Sequence, residues 1–253
     1  MSGQGPTYNT YMNLLAFELS TEACSVALWV DGDVRERHEI APRRHAELAL
    51  PWAEALLVEA GIAKSQLDAI AVGRGPGAFT GVRLGVAVAQ GIALALDRPA
   101  VPVSTLAALA MRAVARGAGD GDGVLAAIDA RMNEVYVAAY RLTLENGVLR
   151  PLPMSAEQVL APDAVPLPDD GSAWFGVGTG FAALGGVLHA RLPSDWRAVD
   201  AEALPHAGDV ARLAHAALLR GEAVAPEMLE PAYLRNQVAL TLVEQQALRA
   251  ARP

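Results

Sequence analysis

The chain has 253 residues, a net charge of −8 and 53% hydrophobic content, enough to bury the core of one large domain or two small ones. A single cysteine, Cys24, excludes an internal disulfide, and a single lysine, Lys64, among twenty basic residues leaves a net field that repels polyanions and disfavours direct nucleic-acid binding. No basic segment leads into an apolar h-region, and the longest apolar stretch, residues 84–96, is broken by Gln90 and falls short of the about 20 residues that cross a bilayer, so the expectation is a cytoplasmic protein with no membrane span.

Residues 1–11 are polar and aperiodic and read as a flexible tail. Leu14 to Leu19, Ser25 to Val30 and Val34 to Ile40 then read as a strand meander, with Asp31-Gly32-Asp33 as the second turn. His45 to Ala60 places Leu48, Trp52, Leu56 and Leu57 at helical spacing, and Gly61 is positioned to end that helix. His45 reads as a surface or capping residue. A buried strand, Ala69 to Gly73, leads into a glycine-rich loop and a helix from about Ala78 to Leu96. That helix has almost no polar face, so it is covered on more than one side, by the sheet and by either a second helix of the chain or a partner. Two small-residue stripes, Gly85-Ala89-Ala93 and Ala87-Gly91-Ala95, would let another backbone come close.

Pro99 to Val103 reads as a strand, followed by a helix from Ser104 to Gly117 and a glycine-rich hinge or linker up to Gly123. The same grammar then restarts. Val124 to Ile128, Val135 to Arg141 and Val148 to Leu152 read as strands, with helices near Gly180 to Ala190 and Ala207 to Leu219. The repetition predicts a duplicated α/β architecture.

The loop Gly73-Arg74-Gly75-Pro76-Gly77-Ala78-Phe79-Thr80-Gly81 holds four glycines and a proline. Such a loop permits close approach to the main chain, and the unpaired N–H groups of the helix that follows suit a phosphate or carboxylate. It is not a Walker loop, since no lysine follows any of its glycines, and its fit to a dinucleotide fingerprint is degenerate because Asp97 closes a helix. The same pattern is also that of a tight strand-to-helix turn with no ligand. Asp129, Arg131 and Glu134 read as an ion-pair network, lacking a nearby base or nucleophile, and Cys24 as an inert strand thiol.

Four segments together resemble the bacterial TsaB (YeaZ) family, an accessory subunit for tRNA threonylcarbamoyladenosine synthesis. They are Leu15 to Leu28, the glycine loop with Val82-Arg83-Leu84-Gly85, Ile128-Asp129-Ala130-Arg131 with Glu134-Val135-Tyr136, and Pro231 to Ala239. The resemblance implies the actin-like, sugar-kinase-like ATPase superfamily fold, an α/β architecture of two duplicated lobes, each a mixed β-sheet flanked by helices. The expected division is 12–105 for the first lobe and 106–253 for the second, with the C-terminal segment able to return to the first.

Active members of that superfamily handle metal and phosphate with a first-strand Asp, which is Glu18 here, followed by Ser20 and Thr21. With Gly75, Gly77 and Thr80 these are the nucleotide or phosphate candidates. Aligned on the catalytic sister family, TsaD, Thr105 and Leu109 stand where that family carries a metal-binding histidine pair, so no metal site and no catalytic residue is expected.

The resemblance therefore implies a scaffold that is not catalytic by itself. It would support a TsaD-type subunit that transfers threonylcarbamoyl to adenosine in tRNAs reading ANN codons, alongside a TsaE-type ATPase. The expected interface is Val82, Gly85, Val86, Ala89, Ile92 and Ala93, used for the heterodimer or for a homodimer in isolation. The tRNA would be held mainly by the partner, and no cofactor bound tightly, with ATP or ADP placed at the partner interface. The alternative is an autonomous ATP-dependent kinase or transferase working through Glu18, Ser20, Thr21 and the loop.

Overall fold

The computed structural model describes residues 12–145 and 147–235, so the expected tail at 1–11 and the segment after Val238 lie outside the described residues. In chain order the first lobe runs β1 (Asn13–Glu18), β2 (Ala23–Val30), β3 (Asp33–Ile40), α1 (His45–Ala60), β4 (Ala69–Gly73), α2 (Phe79–Leu96) and β5 (Ala100–Val103), and is followed by α3 (Thr105–Ala110), whose Leu106, Leu109 and Ala110 pack in the second lobe's core. The second runs β6 (Gly123–Arg131), β7 (Glu134–Glu145), β8 (Val148–Pro153), β9 (Gln158–Leu160), β10 (Trp174–Val177), α4 (Ala183–Ala190) and β11 (Ala198–Asp200), followed by α5 (Ala207–Leu219).

The first sheet has the order β3-β2-β1-β4-β5, antiparallel through the meander and parallel from β1 to β4 to β5. In the second sheet β8-β7-β6-β10-β11 repeats that order and that pattern of directions, with β9 added beside β7. Composition explains the positions: β1 and β4 are apolar and buried on both faces, as central strands must be, whereas β3 carries Arg35, Glu36, Arg37, His38 and Glu39 and forms a charged edge.

α1 has the bounds expected from its pattern, and Gly61 ends it in the left-handed region at φ 68°. Its first residue differs from expectation. His45 is buried, and its Nε2–H is shared between the Thr21 and Ala23 carbonyls at 3.0 and 3.1 Å, tying the β1–β2 turn to the helix.

By length and composition α2 passes for a membrane span, yet Val86, Ala89 and Ala93 pack with Phe17 and Val72 of the chain's own sheet. It is a core helix on that face. The helix expected from Ser104 to Gly117 is shorter: Ser104 Oγ caps α3 by accepting from Ala107 N at 3.1 Å, and 3-10 turns continue over Met111–Arg116 to Gly117. The glycine-rich stretch after it forms a turn held by two side-chain hydrogen bonds. Asp122 accepts from Gly119 N at 2.7 Å and Asp120 from Leu144 N at 2.7 Å. In α4, Leu184, Gly185 and Gly186 have positive φ, which confines regular helix to its last turn.

The sequence pattern groups α5 with the second strand set; in space it packs on the first sheet. Val210, Ala211 and Ala214 lie against Leu14, Ala16, Ala27, Ala71 and Val101, on the face opposite α1 and α2. Edge strand β3 fixes its start: Gly208 N donates to Glu36 Oε1 at 3.0 Å, Ser25 Oγ donates to the same oxygen at 2.6 Å, and Ala207 N donates to Ser25 Oγ at 2.9 Å. Burial pushes the Glu36 carboxyl up, but hydrogen bonds from His206, Ser25 and Gly208 outweigh it and hold its pKa at about 2, an anion at a helix N-terminus. Beyond α5, Val224 pairs with Ala100 at the β5 edge, which brings the chain back to the first lobe.

Candidate functional site

Glu18 ends β1 buried inside the first lobe, and the sequence around it turns sharply so that its own neighbours reach back. Ser20 N donates to Oε1 at 2.8 Å and Ser20 Oγ donates to the same oxygen, while Thr105 Oγ1 donates to Oε2 at 3.1 Å. Thr105 in turn accepts from Gly75 N at 3.2 Å, and its N–H donates to Gly75 O at 3.0 Å. Both carboxyl oxygens are therefore engaged. Burial pushes the Glu18 carboxyl above its ordinary range, and the bonds from Ser20 and Thr105 offset only part of that push.

The glycines of the loop admit the chain itself. A Cβ on Gly73 would stand 1.8 Å from Glu18 Oε2, one on Gly77 2.4 Å from Ser20 O, and one on Gly81 2.1 Å from Leu19 O. Ala78 N donates to Ser20 O at 2.7 Å, fastening the Leu19-Ser20 turn onto the loop. From the other side Ala232 N donates to Arg74 O at 2.8 Å, and Ala232 O would lie 3.3 Å from a Cβ on Gly75. Backbone from both flanks lies against the loop glycines.

Of the six nucleotide candidates, Glu18, Ser20, Thr21, Gly75 and Gly77 gather at this point, where Thr21 Oγ1 accepts from Ala23 N at 3.3 Å; Thr80 is exposed on the first turn of α2, away from the network. These residues do not fit a magnesium-phosphate group: the Glu18 carboxyl lies on Gly73 and accepts three hydrogen bonds, and backbone lies against the loop glycines. Leu109 is fully buried, its Cδ2 2.6 Å from where a Cβ on Gly178 would stand, so methyl groups fill the second histidine position.

Across the cleft, the β6–β7 turn carries Arg131, Met132 and Asn133 at φ 61°, 54° and 64°. Asp129 accepts from Arg131 N at 2.8 Å and from its guanidinium at 2.9 Å, and Glu134 pairs with Arg235. Asp129, Arg131 and Glu134 thus form ion pairs, but with a partner the sequence alone did not supply. Arg235 also donates to Ala130 O at 3.3 Å, so residues 229–235 form a strap from Leu229 in the first core, past the glycine loop, to the second lobe.

Burial corrects the expected interface. Val82, Gly85, Val86, Ala89 and Ala93 are inside the core and Ile92 is half-buried, so that stripe is used against the sheet. The second stripe, Ala87, Gly91 and Ala95, is exposed, flanked by Leu94 at 55% and Phe79 at 57% exposure. Arg83 lies 3.2 Å over the Phe79 ring and 5.1 Å from that of Tyr233, which ties the start of this face to the strap.

The model of the family TsaD, tRNA N6-adenosine threonylcarbamoyltransferase, matches residues 38–240. The tRNA threonylcarbamoyladenosine biosynthesis protein TsaB of Escherichia coli is 42% identical over 232 residues, covering 90% of this chain and 96% of that protein. Its namesake from Haemophilus influenzae is 39% identical over 234 residues, covering 90% and 95%. The solved structure of YeaZ from Pseudomonas aeruginosa superposes with a TM-score of 0.79 at 48% identity, covering 88% of this chain and 100% of that one. With its duplicated lobes, its sealed first-strand carboxylate and relatives of this extent, the chain belongs to the TsaB (YeaZ) family.

Proposed function

We propose that this protein acts in tRNA threonylcarbamoyladenosine biosynthesis as a non-catalytic subunit that docks a TsaD-type transferase through the outward face of α2. The observation that carries the docking is that face itself, with Ala87, Gly91 and Ala95 along it and Leu94 and Phe79 exposed beside them. Small residues let a second helix approach closely, and an apolar face of this length gains from burial. The backbone packed against the glycine loop and the three hydrogen bonds on Glu18 argue against an autonomous kinase or transferase. In this reading the same face closes a homodimer when the partner is absent, the partner carries the tRNA, a TsaE-type ATPase joins the complex, and ATP or ADP sits at a subunit interface. The setting is the cytoplasm.

Light scattering on size-exclusion eluates tests the docking. Mixing the chain with a purified TsaD-type subunit, with and without Mg-ATP, is expected to give a heterodimer at the expense of homodimer. Separate elution under both conditions would remove the proposal, and tight Mg-ATP binding with turnover by the isolated chain would favour the enzyme reading.

A further inference from the structure

Beside the Glu18 network, at Arg74 and Ser104, which adjoin Gly73, Gly75 and Thr105, a cavity of about 600 Å³ opens between the end of β4, the start of α3 and the β7–β9 side of the second lobe. Its volume suits a small organic molecule. Pro151 and Pro153 give it apolar walls, and Arg74, Ser104, Tyr140 and Glu157 give it polar ones.

The polar groups are incompletely used by one another. Ser104 Oγ accepts from Ala107 N and donates its only proton to Glu157 Oε1. Tyr140 is buried, and its hydroxyl lies 3.5 Å from Ser104 Oγ, the far limit of a hydrogen bond. Burial pushes that phenol up, so it stays a protonated donor. Glu157 Oε2 faces the Arg74 guanidinium at 4.0 Å, beyond hydrogen-bond reach, and among the described residues that guanidinium has no other polar side-chain contact. The Arg74 backbone is fixed at both ends, its N–H on Val103 O and its carbonyl under Ala232 N, each at 2.8 Å.

We propose that this cavity binds a small zwitterion of the α-amino acid class, its carboxylate on Arg74 and its ammonium on Glu157 Oε2. A simple anion there would face the Glu157 charge and a simple amine the Arg74 charge; only a ligand bearing both satisfies both. Its side chain lies against Pro151 and Pro153, within reach of the Tyr140 hydroxyl. This site is separate from Ala87, Gly91 and Ala95 on α2, although Tyr233, which lines it, also meets Phe79 at the start of that face.

Calorimetric titration of the full chain with glycine, L-alanine and L-serine, against acetate and ethylamine as single-charge probes, tests the assignment. The amino acids are expected to bind at least about tenfold more tightly than either control, and Glu157→Gln and Arg74→Gln each to lose about tenfold. Perturbation of the Tyr140 ring signals by glycine, followed by NMR on the unsubstituted chain, gives a readout that does not depend on the variants folding. Absence of both heat and ring perturbation at about 10 mM amino acid would overturn the proposal, as would acetate binding as tightly as glycine.

Discussion

Two alanines two residues apart on α2 separate the core face from the proposed docking face. Ala89 is 0% exposed among Phe17, Val72 and Leu19 of the first core, whereas Ala87 is exposed. Ala89→Glu must either bury a carboxylate without a partner or lift α2 off the sheet; several kcal/mol for the unpaired charge and about 1–3 for overpacking give a loss of about 4 kcal/mol or more. That is a large share of the 5–15 kcal/mol available to an ordinary domain. Ala87→Glu places the same group in solvent, where glutamate is nearly as good a helix former as alanine, so stability should move by no more than about 0.5 kcal/mol. At the centre of an apolar interface the same carboxylate should cost at least about 2 kcal/mol, or roughly thirtyfold in association. Urea denaturation measures the first quantity for both variants, and sedimentation with or without a TsaD-type subunit measures the second for Ala87→Glu. Equal destabilisation by the two, or undiminished pairing of Ala87→Glu, would refute the assignment of faces.

The close approach of the loop to the Leu19-Ser20 turn predicts that Gly81→Ala, whose Cβ would stand 2.1 Å from Leu19 O, costs about 3 kcal/mol. Gly91→Ala, which meets nothing within 4 Å, should stabilise the same helix by up to about 1 kcal/mol, and the two urea midpoints moving together would contradict this. For Glu18 the folded carboxyl is pushed above its ordinary value of 4.5, so folding takes up a proton and stability falls as pH rises from there through the folded value. Glu18→Gln cannot ionise; its stability should be flat across that window and exceed the parent's above it, and parallel pH profiles would count against a raised Glu18.

Where a signal is local, the residues reveal the structure directly. The bounds of α1 follow from the spacing of Leu48, Trp52, Leu56 and Leu57 and from Gly61, all within one stretch of chain. The duplicated lobes follow from a repeated order of strand signals, and the sister strand orders agree. Periodicity fails on α2 because two small-residue stripes have the same period, and only the docked sheet distinguishes them. It fails on α5 because an apolar stripe does not name its partner; the determinants are Glu36 and Ser25, which precede it by more than 170 residues. The candidate site shows the same division. Glu18, Ser20 and the glycines announce a phosphate loop, while the contacts that close it come from Thr105 and Ala232, distant in sequence.

Because α5 covers the first sheet but follows the second in the chain, the first lobe is completed last. A ribosome adding about 5–20 residues per second needs at least several seconds to pass from β5 to the end of α5. Throughout that interval Leu14, Ala16, Ala27, Ala71 and Val101 present an apolar sheet face from which α5 is still missing. The long-range closure also slows folding, since the loop entropy must be overcome before the contacts form. The fold therefore leaves that face of the first sheet short of its cover on the nascent chain until α5 has been made.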